Sequence, residues 1–311
     1  IHPTRIEEIY DKVCKDMKRI ITVILSLAAS LVVMAQVRIT TPETELIIKA
    51  DKGADLQILY FGARLSDADA ANIEAAGVPG HSAYRAYGLW CASEASLGVT
   101  HADGNLSTSL KVESVMQSDV IDNSIVTKVV MKDAVYPFYV TVCYRAYQDV
   151  DMIETWTEIA NLGKKPVTLT RFDSGYLPVR VGDVWLSHLH GTWAAEGLLV
   201  QEPLQRGMKV IKNKDGSRNS HTDHAEVMFS LDGKPQENTG RVIGAALCYS
   251  GNYELRIDTR DTDYHEFYAG INPDNSSYKL ESKEVFMTPE LAFTYSDEGL
   301  SGASRNFHRW G

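Results

Sequence analysis

Cysteine is scarce in this 311-residue sequence, with four in all, and that scarcity excludes a disulfide-built scaffold. Cys91, Cys143 and Cys248, the three beyond the first 35 residues, are odd in number and have no framework spacing. They read as buried core residues without a redox or metal role. Basic charge is short as well: 31 Lys and Arg stand against 41 Asp and Glu, a formal charge of −10. The first 35 residues carry five basic and four acidic groups, so the remainder holds 26 against 37. A surface this acidic does not suit phosphate backbones or anionic lipid, so nucleic acid and membrane are not expected partners, and neutral ligands such as sugars fit better. No apolar run reaches the about 20 residues of a membrane-spanning helix. There is no Gly-x-Ser-x-Gly elbow, so Ser220, His221 and Asp223 do not make a serine hydrolase. Asp103-Gly104-Asn105 lacks the carboxylate spacing of a calcium loop and reads as a tight turn, with Gly104 supplying a positive φ.

What is present begins with an address. Residues 1–16 precede an initiator-like Met17 and read as an upstream extension of doubtful origin. Residues 17–35 have the make-up of a secretory signal: basic Met17-Lys18-Arg19, an apolar stretch from Ile20 to Met34, and Val33-Met34-Ala35 as a small-residue cleavage site before Gln36. The expectation is export, to a bacterial periplasm or as a secreted product, with no membrane association after cleavage.

From Val37 onward, short β-branched and aromatic runs are broken by Gly, Asn, Asp and Pro clusters, the pattern of an all-β sandwich. Strands are expected at Glu45 to Lys49, Leu56 to Phe61, Ser124 to Met131, Phe138 to Tyr147, Arg241 to Tyr249 and Phe286 to Tyr295. A hairpin is expected from Met152 to Phe172. In it Ile153, Thr155, Thr157 and Ile159 alternate with Glu154, Trp156 and Glu158, and Asn161 to Pro166 form the turn. Helices are expected only at Asp67 to Ala76, stopped by Gly77 and Pro79, and at Glu298 to Trp310. Between Gln36 and Leu300 there is no repeat and no clean domain boundary.

The segment Trp185-Leu186-Ser187-His188-Leu189-His190-Gly191-Thr192-Trp193 is crowded with Trp and His. Such crowding marks a sugar-handling surface or a packed domain seam. His188 and His190, two apart on a strand, point the same way. A zinc site needs a third protein ligand, none is convincing nearby, and no metal or organic cofactor is expected. Tyr249-Ser250-Gly251-Asn252 ends a strand in a polar aromatic turn, which either lines a sugar groove or only closes the strand.

Taken in order, Tyr60-Phe61-Gly62, Tyr84-Arg85-Ala86-Tyr87-Gly88, His101 to Asn105, the Trp185 segment, Tyr249 to Tyr253, Ala269-Gly270-Ile271-Asn272-Pro273, Thr288-Pro289-Glu290 and Phe307-His308-Arg309-Trp310 resemble the α-galactosidases of glycoside hydrolase family 36. The resemblance implies an amino-terminal β-supersandwich, galactose-mutarotase-like, over residues 36–300. Residues 301–311 would then start a linker to a (β/α)8 barrel. It implies retaining hydrolysis of α-galactosides by two carboxylates about 5 Å apart, both in the barrel, the nucleophile in a Lys-x-Asp-x-Asn motif. This sequence has no such motif. The expected partners are α-galactoside oligosaccharides through the full-length enzyme, the barrel of the same polypeptide, and a second copy in a homo-oligomer.

The resemblance also places Trp185, His188, His190 and Trp193 at the seam facing the barrel, with Trp193 buried there, and adds Tyr249 and Asn252 as substrate or seam candidates. The side of the hairpin that bears Trp156 would be covered by a second sheet or by the barrel. Arg218, in a segment similar to the family's Gly-x-Arg-x-Ser, would grip a carboxylate and fix a loop. One departure stands out: the interval from Ala63 to Ala83 is short and Ala-rich. Tetrameric members carry a long loop there into the neighbouring subunit's site, so no substrate-contacting residue is carried over from it.

Overall fold

The structure, a computed structural model, describes residues 36–75, 80–88, 93–179, 182–216, 222–261, 264–274 and 276–311. The expectations for residues 1–35, for Cys91 and for Arg218 lie outside the described residues.

Strands dominate. The chain begins with β1 (Gln36–Thr40), β2 (Thr44–Lys49), β3 (Gln57–Ala63), helix α1 (Asp67–Ala75), β4 (His81–Ser82) and β5 (Leu97–Thr100). Then come β6 (Leu110–Gln117), β7 (Ser124–Asp133), β8 (Phe138–Tyr147), β9 (Ile153–Asn161) and β10 (Val167–Val179). The next run is β11 (Trp185–Thr192), β12 (Ala195–Pro203), β13 (Gly207–Lys212), β14 (Asp223–Ser230) and β15 (Val242–Leu247). It closes with β16 (Tyr253–Asp261), β17 (Tyr264–Ile271), β18 (Tyr278–Leu280), β19 (Glu284–Met287), β20 (Leu291–Ser296) and helix α2 (Gly299–Trp310). No helix among the described residues is long and apolar enough to cross a membrane.

The strands form three antiparallel sheets. A ten-stranded sheet runs β12-β11-β14-β15-β20-β9-β8-β7-β6, with β19 also on β9. A six-stranded sheet runs β13-β16-β17-β10-β18, with β5 on β10, and β1 to β4 form the third. The expected all-β supersandwich is the architecture observed. The two larger sheets face each other across the core, where Phe229 of β14 meets Phe267 of β17 at 5.2 Å between ring centres. They approach closely at Gly175, where a Cβ would stand 2.5 Å from Thr155 Cγ2. Only glycine allows that approach. The third sheet closes on the same core through Phe61 of β3 and Phe293 of β20, 5.1 Å apart edge to face.

β9 and β10 are not the expected hairpin. β9 pairs with β8 on one edge and with β19 and β20 on the other, whereas β10 pairs with β5, β17 and β18. The turn between them is an arch that crosses from one sheet to the other. Asn161 explains why it crosses: its side-chain amide donates to the carbonyls of Lys165, Leu280 and Glu281, tying the arch to β18 in place of a hairpin ladder. Both faces of β9 are covered. The Trp156 side packs under Arg145, whose guanidinium lies 5.1 Å from the indole centre and pairs with Glu154, so neighbours in its own sheet shield it.

The expected strand from Phe286 to Tyr295 is two strands, β19 and β20, separated at Thr288-Pro289-Glu290. Pro289 lacks the donor a continuous ladder needs. Helix α2 crosses the division at 300/301 and packs on the outer face of the large sheet. A Cβ on Gly244 would stand 2.8 Å from the Phe307 ring, and Asn306 Nδ2 donates to Thr294 Oγ1 at 2.9 Å. The Asp103 to Asn105 turn is as expected, with Gly104 at φ +86° and the Asn105 amide donating to Asp103 Oδ1. Cys143 is buried, but Cys248 is exposed, which corrects the expectation of a buried residue: β15 ends at Leu247 and leaves Cys248 in the following loop.

Candidate functional site

β11 and β12 form a hairpin at one edge of the large sheet. Thr192 pairs with Ala195, so Trp193 and Ala194 make the turn. Gly191 is required, because a Cβ there would sit 2.4 Å from the Ala195 carbonyl oxygen. Ala194 has φ +63°, a left-handed conformation that L residues adopt at a cost. Trp193 stands at the tip and is 85% exposed in this chain, where the expected burial was against a barrel outside the sequence. A residue at a turn has no sheet face beneath it. Leu198 and Leu199 are exposed too, because β12 is the edge strand.

The two histidines sit on the inner side of the hairpin in different surroundings. His188 lies opposite Val227, a core residue, and its own side chain is 5% exposed. Its Nε2 is 3.5 Å from Glu202 Oε1, the same oxygen that Lys209 Nζ approaches to 2.6 Å. Burial holds the His188 imidazole below its ordinary pKa. Lys209 adds to that effect, while Glu202 and Asp223 oppose it. Glu202 lies below the carboxylate range because Lys209 donates to it. His190, past an irregularity in the pairing, is exposed and lies 2.9 Å from Asp223 Oδ1 through Nδ1. The two rings are 6.4 Å apart. Among the described residues no group of three or more His, Cys, Asp or Glu is placed to hold a metal ion.

Trp185 is half-buried at the far end of the hairpin, opposite Pro203 and Ser230, so the six candidates do not converge on one point. Tyr249 and Asn252 follow β15 and lie at the same end of the sandwich as Asp223. Asn252 braces a loop: its side-chain oxygen accepts from the Gly216 amide at 2.7 Å and its carbonyl from the Asn272 amide at 2.9 Å. Tyr253 beside it is fully buried, with its phenol pushed up by burial and by the charges of Asp223 and Glu226.

A second polar assembly escaped the sequence reading. On the outer face of the six-stranded sheet, Arg256 pairs with Asp173, Glu254 and Glu94, and Arg171 with Glu254 at 3.1 Å. Beside them Glu266 accepts from Arg85 at 2.7 Å, Tyr176 at 2.9 Å and Tyr264 at 3.0 Å. Burial raises Asp173 to about 6 despite the pull of Arg256 and Arg171. Burial also pushes Glu266 upward, but Arg85 and the other donors outweigh it and leave that carboxyl below its usual value. The cover over these groups comes from the chain around Arg85 and Glu94. In sequence, Glu254, Arg256 and Glu266 alternate with Leu255, Ile257 and Phe267, as a solvent-facing side would. No local signal marks them as buried.

Known proteins decide the family. The family model described as "Glycosyl hydrolase family 36 N-terminal domain" matches residues 54–281. The chain belongs to this family. Alpha-galactosidase AgaA of Geobacillus stearothermophilus is 29% identical over 181 residues, 58% of this chain and 25% of the relative. Alpha-galactosidase Mel36A of Lactobacillus acidophilus is 30% identical over 180 residues, 58% of this chain and 24% of the relative. The chain thus spans about a quarter of the length of these curated relatives. Among solved structures, a variant of AgaA in complex with 1-deoxygalactonojirimycin superposes with a TM-score of 0.81 at 22% identity, covering 88% of this chain and 42% of that one. The alpha-galactosidase from Lactobacillus brevis gives 0.80 at 21%, with 88% and 41% covered. At these identities the superpositions speak for the fold. In this family 36 domain the Trp185 segment, Tyr249 to Asn252 and Ala269 to Pro273 all fall inside the matched region. The carboxylates at the core of the buried polar assembly are engaged by arginines and tyrosines.

Proposed function

We propose that this chain is the amino-terminal domain of an exported α-galactosidase that releases terminal α-galactose from oligosaccharides by a retaining mechanism. The observation that carries the reading is the family 36 N-terminal match over residues 54–281, together with α-galactosidase relatives of which the chain covers about a quarter. Solved relatives in complex with stachyose and raffinose support oligosaccharides of that kind as substrates of the whole protein. In this reading the two reacting carboxylates belong to a barrel that the sandwich supports, and no residue described here breaks a bond. The chemistry needs no metal or organic cofactor. The signal-like segment 17–35 supports export, and the hairpin with Trp193 at its tip supports a face that packs against another domain.

A second reading, a carbohydrate-binding module, is favoured by the 85% exposure of Trp193, since a bare indole stacks well on a sugar ring. The deciding experiment is hydrolysis of a chromogenic α-galactoside by the 311-residue chain and by the chain extended through any reading frame that continues after Gly311. Turnover by the extended form alone is the expected result. Hydrolysis by the shorter chain would place catalysis in residues assigned here to the scaffold. Saturable sugar binding without turnover in either form would favour the module.

A further inference from the structure

We propose that His188, Glu202 and Lys209 form a proton-sensitive clasp on the open edge of the sandwich, which loosens the β11–β12 hairpin as the medium acidifies. The inference does not rest on the glycosidase reading. β12 is the edge of the ten-stranded sheet and β13 the edge of the six-stranded sheet. Glu202 and Lys209 bridge those two edges at 2.6 Å. His188 lies under the bridge, 5% exposed at its side chain, with Nε2 3.5 Å from Glu202 Oε1 and Nδ1 unpartnered.

Neutral His188 fits this place as a packed ring. A protonated one brings a second cation to a carboxylate that already holds Lys209, on a ring that is itself cut off from water. Among the described residues the charged groups that act on it are Lys209, Glu202 and Asp223. His190 on β11 and Asp223 on β14 are paired with each other at 2.9 Å, so Asp223 is already committed to a partner. Glu202 on β12 and Lys209 on β13 pull in opposite directions. The way to relieve the added charge is to let β12 lift toward solvent. That strand has little to hold it, since residues 195–199 are exposed and, among the described residues, no further strand pairs with its outer edge. The sign follows from the lowered imidazole: its contribution to the closed state is present above the ordinary value of about 6.5 and is lost as pH falls through the folded-state value. The element freed is the one that carries Trp193, so acidification would change how the indole is presented.

Amide hydrogen exchange of the 311-residue chain at pH 7.5 and 5.0, corrected for intrinsic rates, tests this. Protection over residues 198–202 is expected to fall about three- to tenfold relative to β8, and His188→Gln is expected to abolish the fall. An equal fall in His188→Gln, or none in the wild type, overturns the clasp. Should His188→Gln not fold, the ring-carbon NMR titration of wild-type His188 decides. Titration of His188 together with shifts of the β12 amides supports the proposal, and titration without them overturns it. Glu202→Gln, which removes the one carboxylate beside the ring, is expected to move the His188 titration to lower pH.

Discussion

The outer face of the six-stranded sheet and the β11–β12 hairpin edge both hold charged side chains, yet they obey different economies of solvent. Around Arg256, itself 3% exposed, every carboxylate is matched by a guanidinium or a phenol. At the hairpin, the Glu202–Lys209 pair is about 40% exposed on both sides and is screened by water. Buried pairs add little net stability when intact but are costly to break; exposed pairs contribute about 0 to 1 kcal/mol either way. The first region therefore fixes one arrangement of the chain around Arg85 and Glu94 on the sheet. The second can change without endangering the fold, which suits an edge that meets a partner.

The largest expected effect breaks the first region. Arg256→Met leaves Asp173 buried without its main cation and Glu254 with Arg171 alone, and is expected to destabilise the domain by about 3 to 5 kcal/mol in urea unfolding. A loss under about 1 kcal/mol would place the two regions in the same class. A smaller effect separates them by pH. Asp173 sits at about 6 in the folded protein, above the roughly 3.9 of an unfolded chain, so the native state binds that proton more tightly. Its contribution to stability grows as pH falls from above 6 toward 4. Compared with Asp173→Asn, the wild type should gain about 1 kcal/mol between pH 7.5 and 5.0. Glu266 runs the other way, its contribution present above the usual carboxylate value and lost as pH falls through its folded value. The smallest effect lies in the hairpin. Ala194→Gly relieves the left-handed turn residue and should raise stability by about 0.5 to 1 kcal/mol, read as a higher urea midpoint; a lower midpoint would mean that the turn is unstrained.

Much of the fold was legible because alternation reports burial directly. β8 begins and ends where the pattern set it, and α1 and α2 fall within a residue or so of their expected bounds. Pairing was not legible. The alternation of Ile153 to Ile159 shows that a strand exists but not what lies beside it, and the partners on one edge of β9 come from more than 120 residues away. The site divided on the same principle. His188 and Trp193 were picked out as unusual for their neighbourhood, but burial of one and exposure of the other depend on the β12 edge and the turn. The Arg256 assembly was missed because its covering chain is remote in sequence.

The arch between β9 and β10 also bears on how the protein is made. While the chain emerges from a ribosome, β8 can pair with β9 early, but the other edge of β9 has no native neighbour until Glu284 to Phe293 have been synthesised. An apolar edge waiting that long is open to pairing with another nascent chain. Yield of soluble protein should therefore depend on synthesis rate and on holding chaperones more than the stability of the finished sandwich would suggest.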